Sequence, residues 1–549
     1  MSEWLNVLST PDGWERLGFA RHYGAKSPLW EERASRIRGA LLVYRERFGD
    51  LPVHVVRSPG RINLRGMHVD THGGYLNLMT HQREVVLVVG KGAPGRCEVA
   101  NTNEDFAPLS LAWPDLPQRS NDESWGAFLE RPDVQQHVAD HAGCWRNYIT
   151  GSWLRASMAL GVPSALGLHI VVDSNLPRGA ALSSSAALCL ALLEGWCAWH
   201  ETVLSDDEKI LAAQDAEWFT GSRCGTCDQA AIVLGSPGHI SHGALFPKVF
   251  RSAEMTPVAF PDALRVLVIN SYTRRSISGA EKVAYTRNRF AYSMAIAIVQ
   301  QTLAQMGYKE SEIRYCDRLS HITGEHLGGD GQVLRVLKEI PVSLDLATLR
   351  ERYTLPEFDA EYTRYFADVA EAERPKEIML RGPLLFGIAE SARARHFARA
   401  LHTGAYELAG EMMSCGHDGD RRIDSTGVPF VLHPDDKYLA HHIEEATPLH
   451  ALPGAYGASS PALDVLVDCA RAHGALGASL TGAGIAGTVL ALCHGQKAPS
   501  IAEGVRAYMA GTEYQRVAGL SKPLTEDELA DAVVVNRAVA GAGKLTLAG

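Results

Sequence analysis

Several things are scarce in this sequence, and each scarcity excludes a class of protein. No hydrophobic run is long: the most apolar stretch, "AALCLALL" at positions 186–193, stops at Glu194, far short of the roughly 20 residues a membrane-crossing helix requires. Basic residues are outnumbered, 53 Lys and Arg against 63 Asp and Glu, for a net charge of -10. Broad binding to nucleic acid or to anionic membranes needs the opposite balance. The first residues, "MSEWLNVLSTPDGW", lack a basic segment followed by an apolar one, so the expectation is a chain without a secretory signal, acting in the cytoplasm. Ten cysteines are scattered over 549 residues, too sparse for a disulfide framework. One C-x-x-C pair, Cys224 and Cys227, has no second pair near it, so neither a zinc knuckle nor a thioredoxin-like site is indicated and a structural role is expected. No repeat of 20 to 50 residues and no low-complexity tract stands out.

What is present is a globular composition, 46% hydrophobic and 21% charged. Its length fits two large domains, or one composite unit with insertions. "VHVVRSPGRINLRG" (53–66) reads as strand, turn and strand around its Pro-Gly pair, and "REVVLVVGKG" (83–92) reads as a continuous buried strand. Positions 145–161 have helical apolar spacing that ends at Gly161, and "LGLHIVVDSNLP" (166–177) alternates as a strand does.

Next comes the strongest local signal, "LPRGAALSSSAALCLALLEGW", in which Gly179 and Ser183, Ser184 and Ser185 precede good helix formers. Small residues opening a helix let backbone N-H groups approach an anion, and the helix dipole favours negative charge there. The loop is neither a Walker A nor a Rossmann pattern. Taken alone, an ordinary serine-capped helix explains it as well as a phosphate site does. A third landmark, "GASLTGAGIAGTVLALC" (477–493), carries Gly482, Gly484 and Gly487 into an apolar strand or helix start; alone, it reads equally as a tight turn. The charged region of about 308–375 reads as a solvated helical insertion.

Taken in order, "SPGRINLRGMHVDTHGGYLNL", "LPRGAALSSSAAL" and "LTGAGIAGTVLALC" resemble the three signature motifs of the superfamily of galactokinase, homoserine kinase, mevalonate kinase and phosphomevalonate kinase, the GHMP kinases. "WRNYITG", "AEWFTGSRCGTCDQ", "VINSYTRRSISGAEKVAYTRNR" and "SSPALDVLVDCARAHGALGASLTGAG" are further similar to galactokinase segments. The resemblance runs from about 49 to 493, interrupted near 308–375 and 420–455. It implies an α+β, two-lobed GHMP kinase fold, with a ribosomal-protein-like N-terminal domain (1–262, including an N-terminal extension). The second domain (263–549) would be ferredoxin-like, with the insertion at about 308–375 and a C-terminal extension. ATP and a sugar would meet between them.

Carried over position by position, the resemblance implies roles as follows. Asp228 would face the attacking sugar hydroxyl, and Arg61 would pair with it and stabilise charge on the transferring phosphoryl group, consistent with a reaction that asks for positioning and charge stabilisation. Glu217 would help hold Mg2+, with a hydroxyl ligand from Ser185. Gly179, Ala181, Ser183, Ser184, Ser185, Gly482 and Gly484 would surround ATP, with Gly487 shaping the cleft. Ala181 and Ala486 stand where the family has glycine; a methyl group is harmless at negative φ and crowding otherwise. His68, Asp70 and Tyr285 would contact the sugar, with Asn270 in the sugar-side wall.

The chain departs from the family at Met67. Galactokinases carry Gly-Glu-His-Thr-Asp-Tyr where this chain has Gly-Met-His-Val-Asp-Thr, and the family glutamate hydrogen-bonds the hydroxyl at carbon 6 of the sugar. A thioether is no substitute for that acceptor. A substrate that differs from galactose at carbon 6 is therefore expected, against the plainer reading of a packing change. Two rivals remain. His68, Asp70 and His72 would suit a metal-dependent hydrolase if further ligands joined them. A sugar and ATP sensor on a galactokinase fold would bind without turnover.

Overall fold

The computed structural model of the 549-residue chain describes all residues except 121, 162–166, 223, 247–249, 274–279, 368 and 548–549. Its first lobe is built on β1 (Val53–Arg65), β2 (Tyr75–Lys91), β3 (Arg96–Asn101), β4 (Leu109–Ala112), β5 (Leu168–Ser174), β6 (His239–Ala244) and β7 (Thr256–Ala259). The long strand β2 bridges two registers: its second half pairs with β5 (Val88 with Val171) and its start with β6 (Tyr75 with Ala244), both antiparallel. Strand β3 lies parallel to β5.

Alternation along these strands sends neighbouring residues to opposite faces. Val55, Val86, Val88 and Val171 pack under the N-terminal helices, while Val56, Leu87, Val89 and Ile170 join a second core. The first face is covered by α1 (Trp30–Phe48). The second is covered by α2 (Arg146–Ala159), α3 (Ser184–Trp199), α4 (Asp206–Trp218) and α5 (Cys227–Val233). Helix α3 is apolar nearly all round, and Ala186 through Leu193 are buried apart from Leu188, as expected for a helix sandwiched on every side.

The second lobe carries β8 (Leu264–Asn270), the small hairpin partners β9 (Ser343–Asp345) and β10 (Glu377–Met379), then β11 (Gly477–Thr481), β12 (Thr488–His494) and β13 (Val533–Asn536). Its antiparallel sheet runs β11-β12-β8-β13; α6 (Ala280–Gln305) and α7 (Arg381–Thr403) pack on each other, α7 also on β2, while α8 (Tyr406–Asp418) and α9 (Pro461–Ala472) pack on the sheet. A last strand, β14 (Gly543–Leu545), returns to the first sheet, where Leu545 pairs with Val55. This α+β, two-lobed arrangement is the expected one. Among the described residues no helix is long and apolar enough to cross a membrane.

Two local expectations fail. Residues 53–66 hold no turn: Pro59 and Gly60 lie inside the single strand β1, with a register shift between Pro59 and Arg61. The glycine is there for close approach, because a Cβ at position 60 would stand 2.8 Å from the Leu182 carbonyl oxygen and 2.5 Å from Leu176 Cδ2. The 308–375 region is helical but not merely solvated, since Leu319, Val333, Leu334, Leu337, Leu349 and Phe366 are buried in the second-lobe core. Its charges had masked a helical stripe that period-based reading would find at Val333, Leu334 and Leu337.

The glycine at the β1 bulge carries a prediction. Gly60→Ala should lower unfolding stability by about 1–3 kcal/mol through overpacking. Chemical denaturation checks this, and a loss confined to a few tenths of a kcal/mol would contradict the close approach.

Candidate functional site

Between the lobes lies a cleft of about 1750 Å3, above the roughly 300–1,000 Å3 typical of a single small-molecule site. Its floor is the meeting of three elements. From β1, Arg61 donates its backbone N-H to the Leu182 carbonyl (3.2 Å) and its Nη1 to the Ala181 carbonyl (2.7 Å). The same guanidinium reaches Asp228 at the start of α5, with Nε and Nη2 at 2.7 and 2.6 Å from Oδ1. The other carboxylate oxygen, Oδ2, accepts a hydrogen bond from the Ser183 hydroxyl. Asp228 thus has both oxygens fixed from behind while its side chain stays 23% exposed toward the cleft.

That bond explains the loop before α3. Ser183 occupies the N-cap position, yet it has φ +58 and its side chain does not cap the helix. The serine-capped alternative is thereby excluded, and among the described residues no side chain caps the N-terminus of α3. Gly179, Ala181 and Ser183 alternate in the left-handed region, at φ +73, +57 and +58. For alanine and serine this conformation costs about 1–2 kcal/mol each, a strain of the kind that gathers at working loops. Ala181 is seated by the glycine turn between β11 and β12: a Cβ at Gly487 would lie 2.8 Å from the Ala181 Cβ, and one at Gly482 3.0 Å. Gly482 also lines the cleft, and Gly484 packs beneath it with φ +78. Ala486 stays out of the left-handed region and is buried.

Beside Asp228, Ser185 Oγ donates to Glu217 Oε1 at 2.6 Å, and Gln229 Nε2 donates to Oε2 at 2.8 Å. Burial, with Asp228 nearby, pushes the Glu217 carboxyl up to about 7. Arg61 also acts on Glu217 but is engaged by Asp228. A buried carboxylate in want of positive charge, beside the Ser185 hydroxyl oxygen and with the Asp228 carboxylate nearby, fits a magnesium ion. Farther along the same side Asn101, Phe106, Trp145, Tyr148 and Leu188 line the cleft. They come from three separate stretches, 101–106, 145–148 and position 188, which only the fold brings to one wall.

The opposite end gathers the remaining expected residues. Met67 is buried at 1% exposure and lines the cleft, with its backbone N-H held by Glu390 Oε1 at 3.0 Å. His68 adopts φ +62 and stacks on Tyr456, with ring centroids 4.4 Å apart. Asp70 lines the cleft, and burial with Asp228 nearby raises its carboxyl above the usual range. Asn270 ends β8 in the wall, accepting the Tyr272 N-H at 3.0 Å. Tyr285 falls within α6, but its side chain lies outside the described residues. Sequence reading missed Tyr292, Tyr365 and Tyr456, which line this end; Tyr365 belongs to the segment expected to be a solvated insertion. His72 does not join His68 in a metal site, because it stacks against Tyr292. Among the described residues no group of three His, Cys, Asp or Glu side chains could hold a metal ion. Cys224 and Cys227 are free thiols.

Three family models match this chain: "GHMP kinases N terminal domain" at 147–236, "Galactokinase galactose-binding signature" at 43–91 and "GHMP kinases C terminal" at 430–511. It is similar to the galactokinase of Chloroflexus aurantiacus, 30% identical over 264 residues, 48% of this chain and 60% of that one. Similarity to the galactokinase of Bos taurus is lower, 25%, but extends over 89% of this chain and 95% of that one. The match spans about 60% of the length of the first curated relatives. Among solved structures, Lactococcus lactis galactokinase complexed with galactose superposes with a TM-score of 0.58 at 18% identity, over 93% of this chain and all of that one. It shares the fold.

The raised carboxyl of Glu217 gives a pH prediction. Between the ordinary value of 4.5 and about 7 the folded state binds the proton that the unfolded state has lost, so this group lowers stability as pH rises through that window. Glu217→Gln removes the titration. Its melting temperature relative to the parent should therefore improve on going from pH 4 to pH 8, and magnesium should narrow the gap at pH 8 by stabilising the parent alone. A gap independent of pH would contradict the buried charge.

Proposed function

Because the chain is a galactokinase-like member of the GHMP kinase superfamily, we propose that it is an ATP-dependent sugar kinase. It transfers the γ-phosphoryl group to a monosaccharide hydroxyl, the anomeric one, to give a sugar 1-phosphate. The observation that carries this reading is the fixed Asp228 carboxylate at the centre of the cleft, between a loop suited to phosphate and an end suited to a sugar.

In this reading the triphosphate lies over Gly179 to Ser185 and the N-terminus of α3, where aligned N-H groups favour anionic oxygen. The base packs toward Phe106, Trp145 and Tyr148. Ser185 and Glu217 would hold Mg2+, which would supply neutralisation of the charge on the phosphate groups. Asp228 accepts the hydrogen of the attacking sugar hydroxyl and aims its oxygen at the γ-phosphorus. Arg61 keeps that carboxylate in place and presents a permanent positive charge beside the oxygens that gain charge during transfer. His68 and Asp70 hold the sugar, with Asp70 accepting from ring hydroxyls.

Met67 shapes the specificity. Its apolar side chain offers no hydrogen-bond acceptor to a hydroxyl at carbon 6, so the substrate differs from galactose there, as a pentose, a 6-deoxy sugar or a uronic acid does. A sensor that binds without turnover would have no use for Arg61, Ser183 and Asp228 locked together, which favours catalysis.

Two measurements test this. Asp228→Asn should reduce turnover by about 100-fold or more and Arg61→Ala by on the order of 100-fold, with the melting temperature of Asp228→Asn close to that of the parent; near-normal turnover would refute the assigned roles. A panel of sugars in a coupled ADP-release assay, with the phosphorylated position read by NMR, should show a pentose, 6-deoxy sugar or uronic acid preferred to galactose. A preference for galactose over all of these would sink the Met67 argument.

A further inference from the structure

The two ends of the segment at about 420–455 meet at one buried carboxylate. Asp420 follows α8 and is 1% exposed. Its carbonyl accepts the Ser459 N-H at 2.9 Å, and its Oδ1 accepts the Ala458 N-H at 3.1 Å. Next to it, the Gly419 carbonyl accepts the N-H groups of Tyr456 and Gly457 at 2.8 and 3.0 Å. The segment is thus closed on itself by residues 419 and 420.

The closure faces the sugar end of the cleft. Tyr456, fixed beside Asp420, stacks on His68 with planes only 13° apart. The same Asp420 Oδ1 stands 3.7 Å from His68 Nε2, and both side chains are buried, the imidazole at 4% exposure. His68 has the strained φ of +62, so neither backbone preference nor rotamer freedom selects this pose unaided. The charged neighbours of Asp420 do not compete for the role. Arg65 and Arg393 both bind Glu390, and the Tyr292 hydroxyl packs toward Gly387 on α7. Placing a carboxyl here is costly, and burial pushes it up to about 8. Packing alone would be met more cheaply by an apolar residue.

We propose that Asp420 is a positioning residue for the sugar site, holding the His68 imidazole against Tyr456 in the orientation that meets the substrate. The turn it closes also touches the nucleotide side, because the Ala458 carbonyl accepts the Ile485 N-H at 2.6 Å in the glycine turn that seats Ala181. The role in sugar binding rests on the sugar-kinase reading above.

A double-mutant cycle read by calorimetric sugar binding tests it, using D-galactose, L-arabinose, D-fucose and D-galacturonic acid and following whichever binds the parent most tightly. Asp420→Asn and His68→Gln should each weaken sugar affinity by about 10-fold, and the double variant should be no weaker than the weaker single, because one acts through the other. ATP affinity should change less than 3-fold throughout, by about the margin expected of uncoupled sites. Additive losses, or equal losses for ATP and sugar, would overturn the proposal. If Asp420→Asn does not fold, Asp420→Ser, which still offers an acceptor to Ala458, is read by the same criteria. Sugar binding without ADP release would defeat the kinase reading while leaving the cycle fully readable, and additive losses with normal ADP release would defeat only the role of Asp420. Failure of all four sugars to bind the parent would overturn both.

Discussion

The guanidinium of Arg61 is the contact on which the site depends. One residue in the middle of a strand binds the phosphate-side loop through Leu182 and Ala181, and the carboxylate of α5 through Asp228. Without it, three elements from distant parts of the chain would have no shared reference point. The arrangement works because an arginine offers several donors in a fixed plane, so it can satisfy a carbonyl and a carboxylate together. Glycine at the preceding position permits the approach, since any side chain there would collide with the loop it must touch.

A second ionic knot does the corresponding job at the sugar end. Glu390 on α7 takes Arg393 at 2.7 Å and Arg65 at 3.4 Å, and its other oxygen accepts the N-H groups of Gly66 and Met67 at 2.7 and 3.0 Å. All three charged side chains are buried, and the two arginines hold Glu390 below the usual carboxylate range despite its desolvation. Buried charges of this kind contribute little net stability compared with apolar replacements, and losing one partner is expensive. What they supply here is a single position for the loop that carries Met67, His68 and Asp70. The two knots sit on the same strand, four residues apart, so β1 sets the spacing between Asp228 and the loop that carries Met67, His68 and Asp70.

The departures from family pattern also acquire a physical meaning. Ala181, in a place where glycine would be easier, is accommodated because Gly482 and Gly487 face it without side chains. The charged segment of 308–375 and the segment of about 420–455 each deliver a tyrosine to the cleft, Tyr365 from the first and Tyr456 from the end of the second. The first segment lies outside the three family-model matches, whereas most of the second falls within the match at 430–511.

Periodicity alone located the buried strands and the apolar helix at 184–199, because alternation and continuous apolar runs are local properties. The resemblance to the superfamily brought the fold, the Arg61 and Asp228 pairing and the serine loop within reach, because each of its motifs is contiguous in the chain. The Pro-Gly pair at 59–60 misled, since a residue chosen for close approach and one chosen for a turn look alike until the neighbour is known. Local sequence therefore determined the elements and the small residues at the helix start, and the resemblance pointed to Arg61 and Asp228 as a pair. Only the tertiary structure decided that Ser183 serves Asp228 rather than its own helix, that Glu217 is buried against Ser185 with its carboxyl raised, and that Asp420 stands near His68. Those outcomes depend on desolvation and on distances between residues 32 to 352 positions apart, quantities that exist only once the chain has folded.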